Sequence, residues 1–102
     1  MNIEIAAMEH AAESASDLLK ALANRHRLLI LCQLVDGEKS VGQLAALLGI
    51  RDSTASQHLA LLREEDIVTI RGEAQTRFYS LKDPVVRAII HSLCDICGET
   101  CS

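Results

Sequence analysis

Apolar positions recur at three- and four-residue spacing through most of the chain, and breaks in that rhythm mark where elements end. Met8, Ala12, Ala15, Leu18 or Leu19 and Leu22 form one stripe, which predicts an amphipathic helix over about residues 6–23. Asn24 interrupts the stripe and is suited to cap a second helix from Arg25, which carries Leu28, Leu29, Leu31, Cys32 and Val35 and stops at Asp36-Gly37. Ser40 and Gln43 have capping-box spacing, so a short third helix follows, closed by Gly49, the residue best suited to a left-handed position. A fourth helix, capped by Asp52 or Ser53, is expected to run to about Glu65 with Ala55, Leu59 and Leu62 on its inner side.

The rhythm then changes. Ile67-Val68-Thr69-Ile70 is a β-branched run, Arg71 to Gln75 reads as a turn, and Thr76 to Leu81 alternates, which predicts a β-hairpin. Asp83-Pro84 is a cap followed by proline at the first helical position, and a last helix carries Val86, Ile89, Ile90, Leu93 and Ile96 or Cys97 on one stripe. The order is four helices, a hairpin and a helix, with no internal repeat or linker. Residues 1–102 are therefore expected to form one domain, mainly α with a β-hairpin.

Composition narrows the picture. A chain of 102 residues buries roughly two thirds of its unfolded surface, and 49% of these residues are hydrophobic. So small a core does not hide the apolar stripes of both terminal helices, which favours a homodimer. The longest apolar run, Leu28 to Cys32, is far below the ~20 residues that span a bilayer, and the N-terminal segment is acidic where a signal peptide is basic. Export and membrane insertion are not expected, so the four cysteines are expected as reduced thiols in the cytoplasm.

Residues 40–65 form two helices joined by the glycine-containing turn Leu48-Gly49-Ile50-Arg51, the helix-turn-helix arrangement. Near the start of the second helix stand Ser53, Thr54, Ser56, Gln57 and His58, with 53, 54, 57 and 58 on one face and Ala55 and Leu59 turned away. Such side chains reach base edges and phosphates in a major groove. The net charge is -4, an unusual balance for a DNA binder, but its distribution is informative. Residues 51–82 set Arg51, Arg63, Arg71, Arg77 and Lys82 against an equal number of carboxylates, while the acidic excess lies at the two ends. Arg71 and Arg77 flank the hairpin turn, where a wing follows the phosphate backbone or the minor groove.

The segments Ala21 to Leu31, Ser53 to Arg63 and Arg77 to Leu81 together resemble the ArsR/SmtB family of winged helix-turn-helix repressors, and the resemblance spans almost the whole chain. It implies an α-α-α-α-β-β-α winged helix, a homodimer held by the first and last helices, and an operator in double-stranded DNA that is vacated when an effector arrives.

The cysteines bear on that effector. The family's arsenic- and cadmium-type site needs a cysteine pair on the third helix, where this chain has Val41 to Leu47, and its zinc-type site needs more than the Asp83 and His91 of the last helix. Cys32, after Leu28-Leu29-Ile30-Leu31, resembles the subgroup that responds to sulfide, persulfide or oxidants by linking this cysteine to one near the end of the last helix. That partner usually follows an aromatic residue. Here Cys97-Gly98 occupies the place, with cysteine standing where the aromatic and glycine where the partner cysteine would be, a departure from the subgroup's pattern that leaves Cys97 or Cys94 as the candidate partner of Cys32. A second reading rests on the residues themselves: on a continuous helix Cys94, Cys97 and Cys101 converge, and three soft ligands suit zinc, cadmium or trivalent arsenic as effector. No motif calls for a permanently bound cofactor.

Cys94-x-x-Cys97 also has the form of a thiol oxidoreductase motif. Such enzymes place it at a helix N-terminus, where the dipole lowers the thiol pKa; here it falls at a helix C-terminus, where the dipole opposes a thiolate. No other catalytic constellation stands out, and an enzyme is not expected.

Overall fold

The computed structural model describes residues 4–97, with side chains described as far as Leu93. Its elements are α1 (Ile5–Leu22), α2 (Arg25–Val35), β1 (Lys39–Ser40), α3 (Val41–Leu48), α4 (Asp52–Glu64), β2 (Val68–Glu73), β3 (Thr76–Leu81) and α5 (Pro84–Cys97). Local chemistry accounts for most boundaries. The Asn24 side chain accepts hydrogen bonds from the His26 and Arg27 amides and so starts α2. Asp83 Oδ1 does the same for the Val85 and Val86 amides at the head of α5.

Two boundaries differ from the sequence expectation. The fourth helix is capped by neither Asp52 nor Ser53: its N-cap is Arg51, without a side-chain cap bond. The Ala55 amide already bonds to the Arg51 carbonyl, so the helix begins a residue earlier and Asp52 joins its first turn, where a carboxylate suits the dipole. The hairpin turn is also tighter than Arg71 to Gln75. Arg71, Gly72 and Glu73 each face a residue of β3 (Phe78, Arg77 and Thr76), leaving Ala74-Gln75 as the turn, with Ala74 at φ 55°.

The sheet is antiparallel in the order β1-β3-β2. Strand β1 was not anticipated, because two residues carry no readable alternation; pairing of Lys39 with Tyr79 and Ser40 with Phe78 creates it. Ile30, Leu31 and Leu34 of α2 form the centre of the core, with Leu44 of α3, Leu59 and Leu62 of α4, Ile67, Val68, Tyr79 and Leu81 around the wing, and Val86 and Ile90 of α5. Helix α1 contributes little: Ala21 and Leu22 are buried, whereas Ile5, Met8 and Leu19 of its stripe are exposed. Among the described residues no helix is long and apolar enough to cross a membrane.

Candidate nucleic-acid interface

The helix-turn-helix is built by three local devices. Ser40 Oγ accepts from the Gln43 amide at 3.2 Å while Gln43 Oε1 accepts from the Ser40 amide at 2.8 Å, closing both orphan groups at the head of α3. Gly49 stands at φ 69°, ψ 37° and turns the chain out of α3. The third device is burial of Ala55, Leu59 and Leu62, which seats α4 on the core by one stripe.

That seating decides which α4 side chains face outward. Ser53, Ser56 and Gln57 are exposed, and Ala60 continues their face. Thr54 and His58 are only half-exposed and lie at its border. The grouping of 53, 54, 57 and 58 is therefore corrected: His58 turns toward α2, because Ala55 and Leu59 take the core and draw the neighbouring flank in with them. The His58 ring packs edge-on against His26, with centroids 5.6 Å apart. Arg27 Nη1 stands 3.4 Å from its Nδ1. Burial, then the charges of Arg27 and His26, pushes the His58 pKa below its ordinary value.

The two wing arginines prove unequal. Arg77 lines an open groove of about 420 Å³ together with Gln75 and Thr76 of the wing and Ser40, Val41 and Gly42 at the head of α3. Arg71, expected to be open to a phosphate, is engaged by carboxylates. Its Nη2 and Nε donate to Glu38 at 2.6 and 3.2 Å, its Nη1 donates to Glu73 at 2.8 Å, and its guanidinium lies 5.0 Å from the centre of the Phe78 ring. The fork-shaped bond holds the Glu38 carboxyl below the usual carboxylate range and raises the pKa of Arg71 further. Arg71 thus braces the wing against the segment between α2 and β1.

Of the cysteines, Cys32 is half-buried on α2 and packs against the core. Cys94 and Cys97 belong to the last turn of α5, but their side chains lie outside those described, as does the whole of Cys101. No cluster of metal-binding side chains is present among the described residues. Sequence reasoning missed Glu38 and Arg27. For Arg27 a signal existed: a cation in the first turn of a helix opposes the dipole there and implies a partner elsewhere.

Residues 24–69 match the profile of the bacterial regulatory proteins of the arsR family. The chain is 50% identical to the transcriptional activator HlyU of Vibrio cholerae over 84% of its own length and 80% of that protein. It is 45% identical to the biofilm growth-associated repressor of Agrobacterium fabrum over 89% of its length and 78% of that protein. The solved structure of reduced HlyU from Vibrio cholerae superposes with a TM-score of 0.83 at 48% identity, covering 87% of this chain and 94% of that one. A structure described as a homodimeric winged helix-turn-helix DNA-binding domain of Mycobacterium bovis superposes with a TM-score of 0.82 at 26% identity, covering 96% and 91%.

Proposed function

The chain belongs to the ArsR family of bacterial regulatory proteins, and we propose that it is a homodimeric repressor that reads an operator through α4 and the wing and is released by thiol chemistry at Cys32. Its relatives are regulators of transcription, not enzymes. The observation that carries the DNA reading is the division of α4, whose Ala55, Leu59 and Leu62 are wholly enclosed while Ser53, Ser56 and Gln57 stand in solvent. A helix anchored by one stripe presents the other as a fixed polar surface, and its N-terminus favours a phosphate. Arg77, with the groove beside it, supplies contact to the backbone.

Dimerisation is supported by apolar groups that a lone protomer leaves in water: Ile5, Met8 and Leu19 on α1, and Val85 and Leu93 on α5. The homodimeric Mycobacterium bovis domain supports the same reading. Two α4 helices related by a two-fold axis then meet successive major grooves.

For the sensor, Cys32 lies on α2, which packs along α5, and Arg87 of α5 donates to the Val35 carbonyl at the end of α2. Oxidation joins Sγ of Cys32 to Sγ of Cys94 or Cys97, two protons and two electrons passing to the oxidant; with a polysulfide, one sulfane sulfur is transferred to a cysteine and retained between the two, while a second sulfane sulfur takes the two electrons and two protons and leaves as sulfide. Either link ties α2 to the dimerising α5 and shifts the spacing of the two α4 helices. A bias of a few kcal/mol moves such an equilibrium. That a relative was solved in a form described as reduced is in keeping with a redox pair. The protein works in the cytoplasm, where its thiols stay reduced until the effector arrives.

Fluorescence anisotropy with a duplex from its own promoter region tests the DNA reading. Binding is expected to exceed that to a random duplex and to weaken steeply with salt; no preference at low salt overturns it. Light scattering that gives a monomer at micromolar concentration overturns the dimer. In a reconstituted transcription assay repression is expected, and stimulation overturns that part. Release is then tested with polysulfide and, separately, with arsenite, zinc and cadmium, in the wild type, Cys32→Ser and Cys101→Ser. Loss of the polysulfide response in Cys32→Ser alone supports the bridge. Metal-driven release that survives Cys32→Ser but not Cys101→Ser replaces it with a thiophilic ion held by Cys94, Cys97 and Cys101.

A further inference from the structure

Where α1 hands over to α2, a single guanidinium touches three parts of the molecule. Arg27 Nε donates to the Ala21 carbonyl and Nη2 to the Lys20 carbonyl at 3.3 Å, so the arginine closes the Ala21 acceptor at the end of α1 and adds a second donor to Lys20, whose carbonyl also accepts from the Ala23 amide. Its remaining arm, Nη1, reaches 31 residues along the chain to His58 Nδ1 at 3.4 Å. The helix that Arg27 closes carries the exposed apolar stripe, and the helix that His58 belongs to carries the exposed polar face.

We propose that Arg27 and neutral His58 form a strut that fixes the position of α4 relative to α1, so that His58 acts as a positioning residue for the DNA-reading face and not as a reader of bases. The proposal rests on the assignment of α4 as the reading helix. A guanidinium only donates, so Nδ1 must be the acceptor and the ring proton must sit on Nε2. Protonation of His58 places a second donor against Arg27 and breaks the strut. Among the described residues the side chains whose charge acts on the ring are Arg27 and His26, both of α2. Helix α1 contributes carbonyls, and among the described residues no carboxylate is hydrogen-bonded or ion-paired to His58. Burial first, and then the charges of Arg27 and His26, disfavour a positive charge on the ring and lower its pKa, so the neutral form persists at neutral pH.

The pH dependence this implies runs against simple electrostatics. Adding protons to a DNA-binding protein ordinarily strengthens its attraction to phosphate. The strut requires the opposite below pH 6.5, the ordinary histidine value, with a flat profile above it.

The test measures anisotropy with the promoter duplex between pH 5.5 and 8. Arg27→Ala and His58→Ala are each expected to weaken binding about five- to tenfold at pH 7.5, the worth of one ordinary hydrogen bond. The double variant is expected to lose no more than Arg27→Ala alone. His58→Asn sets an amide oxygen near the position of Nδ1 and does not titrate, so it retains most of the affinity and loses the acid weakening. His58→Ala leaves base preference unchanged. Additive losses, a changed base preference in His58→Ala, or wild-type affinity that rises steadily as pH falls would overturn the proposal. Should the wild type not discriminate among duplexes, the reading of α4 fails instead, and nitrogen-15 NMR of the ring decides the strut without DNA. It is expected to show the proton on Nε2 and a titration midpoint that moves up in Arg27→Ala; a proton on Nδ1 or an unmoved midpoint overturns it.

Discussion

Gly49→Ala isolates the turn that aims α4. Gly49 stands at φ 69°, ψ 37°, and a Cβ built on it meets nothing within 4 Å, so no packing clash enters and the whole cost is backbone. A left-handed conformation costs an ordinary residue roughly 1–2 kcal/mol. Loss of glycine's freedom in the unfolded chain returns about 0.4–1 kcal/mol. The net expectation is a destabilisation of about 1 kcal/mol, or a fall in Tm of roughly 4–8 °C for a domain of this size. Gly49→Asn should lose less, since asparagine tolerates the left-handed region. Gly42→Ala is the opposite-signed partner. Gly42 lies inside α3 with only Ser40 Oγ near its would-be Cβ, at 4.0 Å, and alanine there should stabilise by about 0.5–1 kcal/mol. Circular dichroism melts at one fixed protomer concentration read all three, because association shifts apparent stability. If Gly49→Ala melts with the wild type, or Gly49→Asn falls as far as alanine, the left-handed turn is not what ends α3 and the reasoning fails.

The remaining predictions concern contacts and charge. Gln57→Ala should relax discrimination among operator variants by about 1–3 kcal/mol, the worth of a paired amide contact to adenine; competition binding over a set of single-base substitutions checks it. Arg77→Ala should weaken all duplexes alike and lower the slope of log affinity against log salt by about 2, one phosphate contact being lost in each protomer of the dimer. Arg71→Ala should leave that slope near the wild-type value, since its charge is already matched by Glu38 and Glu73; equal slopes for the two arginine variants would refute the distinction. The Glu38 carboxyl is held below its ordinary value of 4.5 by Arg71, so its contribution to stability is present above pH 4.5 and is lost as pH falls through the lowered value. Glu38→Gln should therefore melt below the wild type at neutral pH, with the gap closing under acid, in parallel melts.

Local chemistry was enough to read much of this protein from its residues alone. The Asn24 cap, the Ser40–Gln43 box, the left-handed Gly49 and the Asp83 cap all depend on neighbours within a few positions, and each element except β1 lies within a few residues of where the apolar rhythm sets it. The polar start of α4 was legible for the same reason, since 3.6-residue periodicity separates Gln57 from Leu59 before any packing is known. The long Ser-Gln-His-Leu segment then carried the family resemblance that the comparisons bear out.

What packing decided lies where groups distant in sequence meet. Strand β1 exists because β3 offers it a ladder, not because Lys39-Ser40 favours a strand. Whether an arginine is a free cation depends on what the fold sets beside it: Glu38 engages Arg71 from 33 positions away, while Arg77 lines an open groove. Periodicity set His58 with the outward face of α4, at whose border it stands half-exposed. Burial of Ala55 and Leu59 rolled α4 far enough to bring His58 to Arg27. A one-dimensional pattern determines which faces are apolar; only the three-dimensional packing of those faces determines which charges meet.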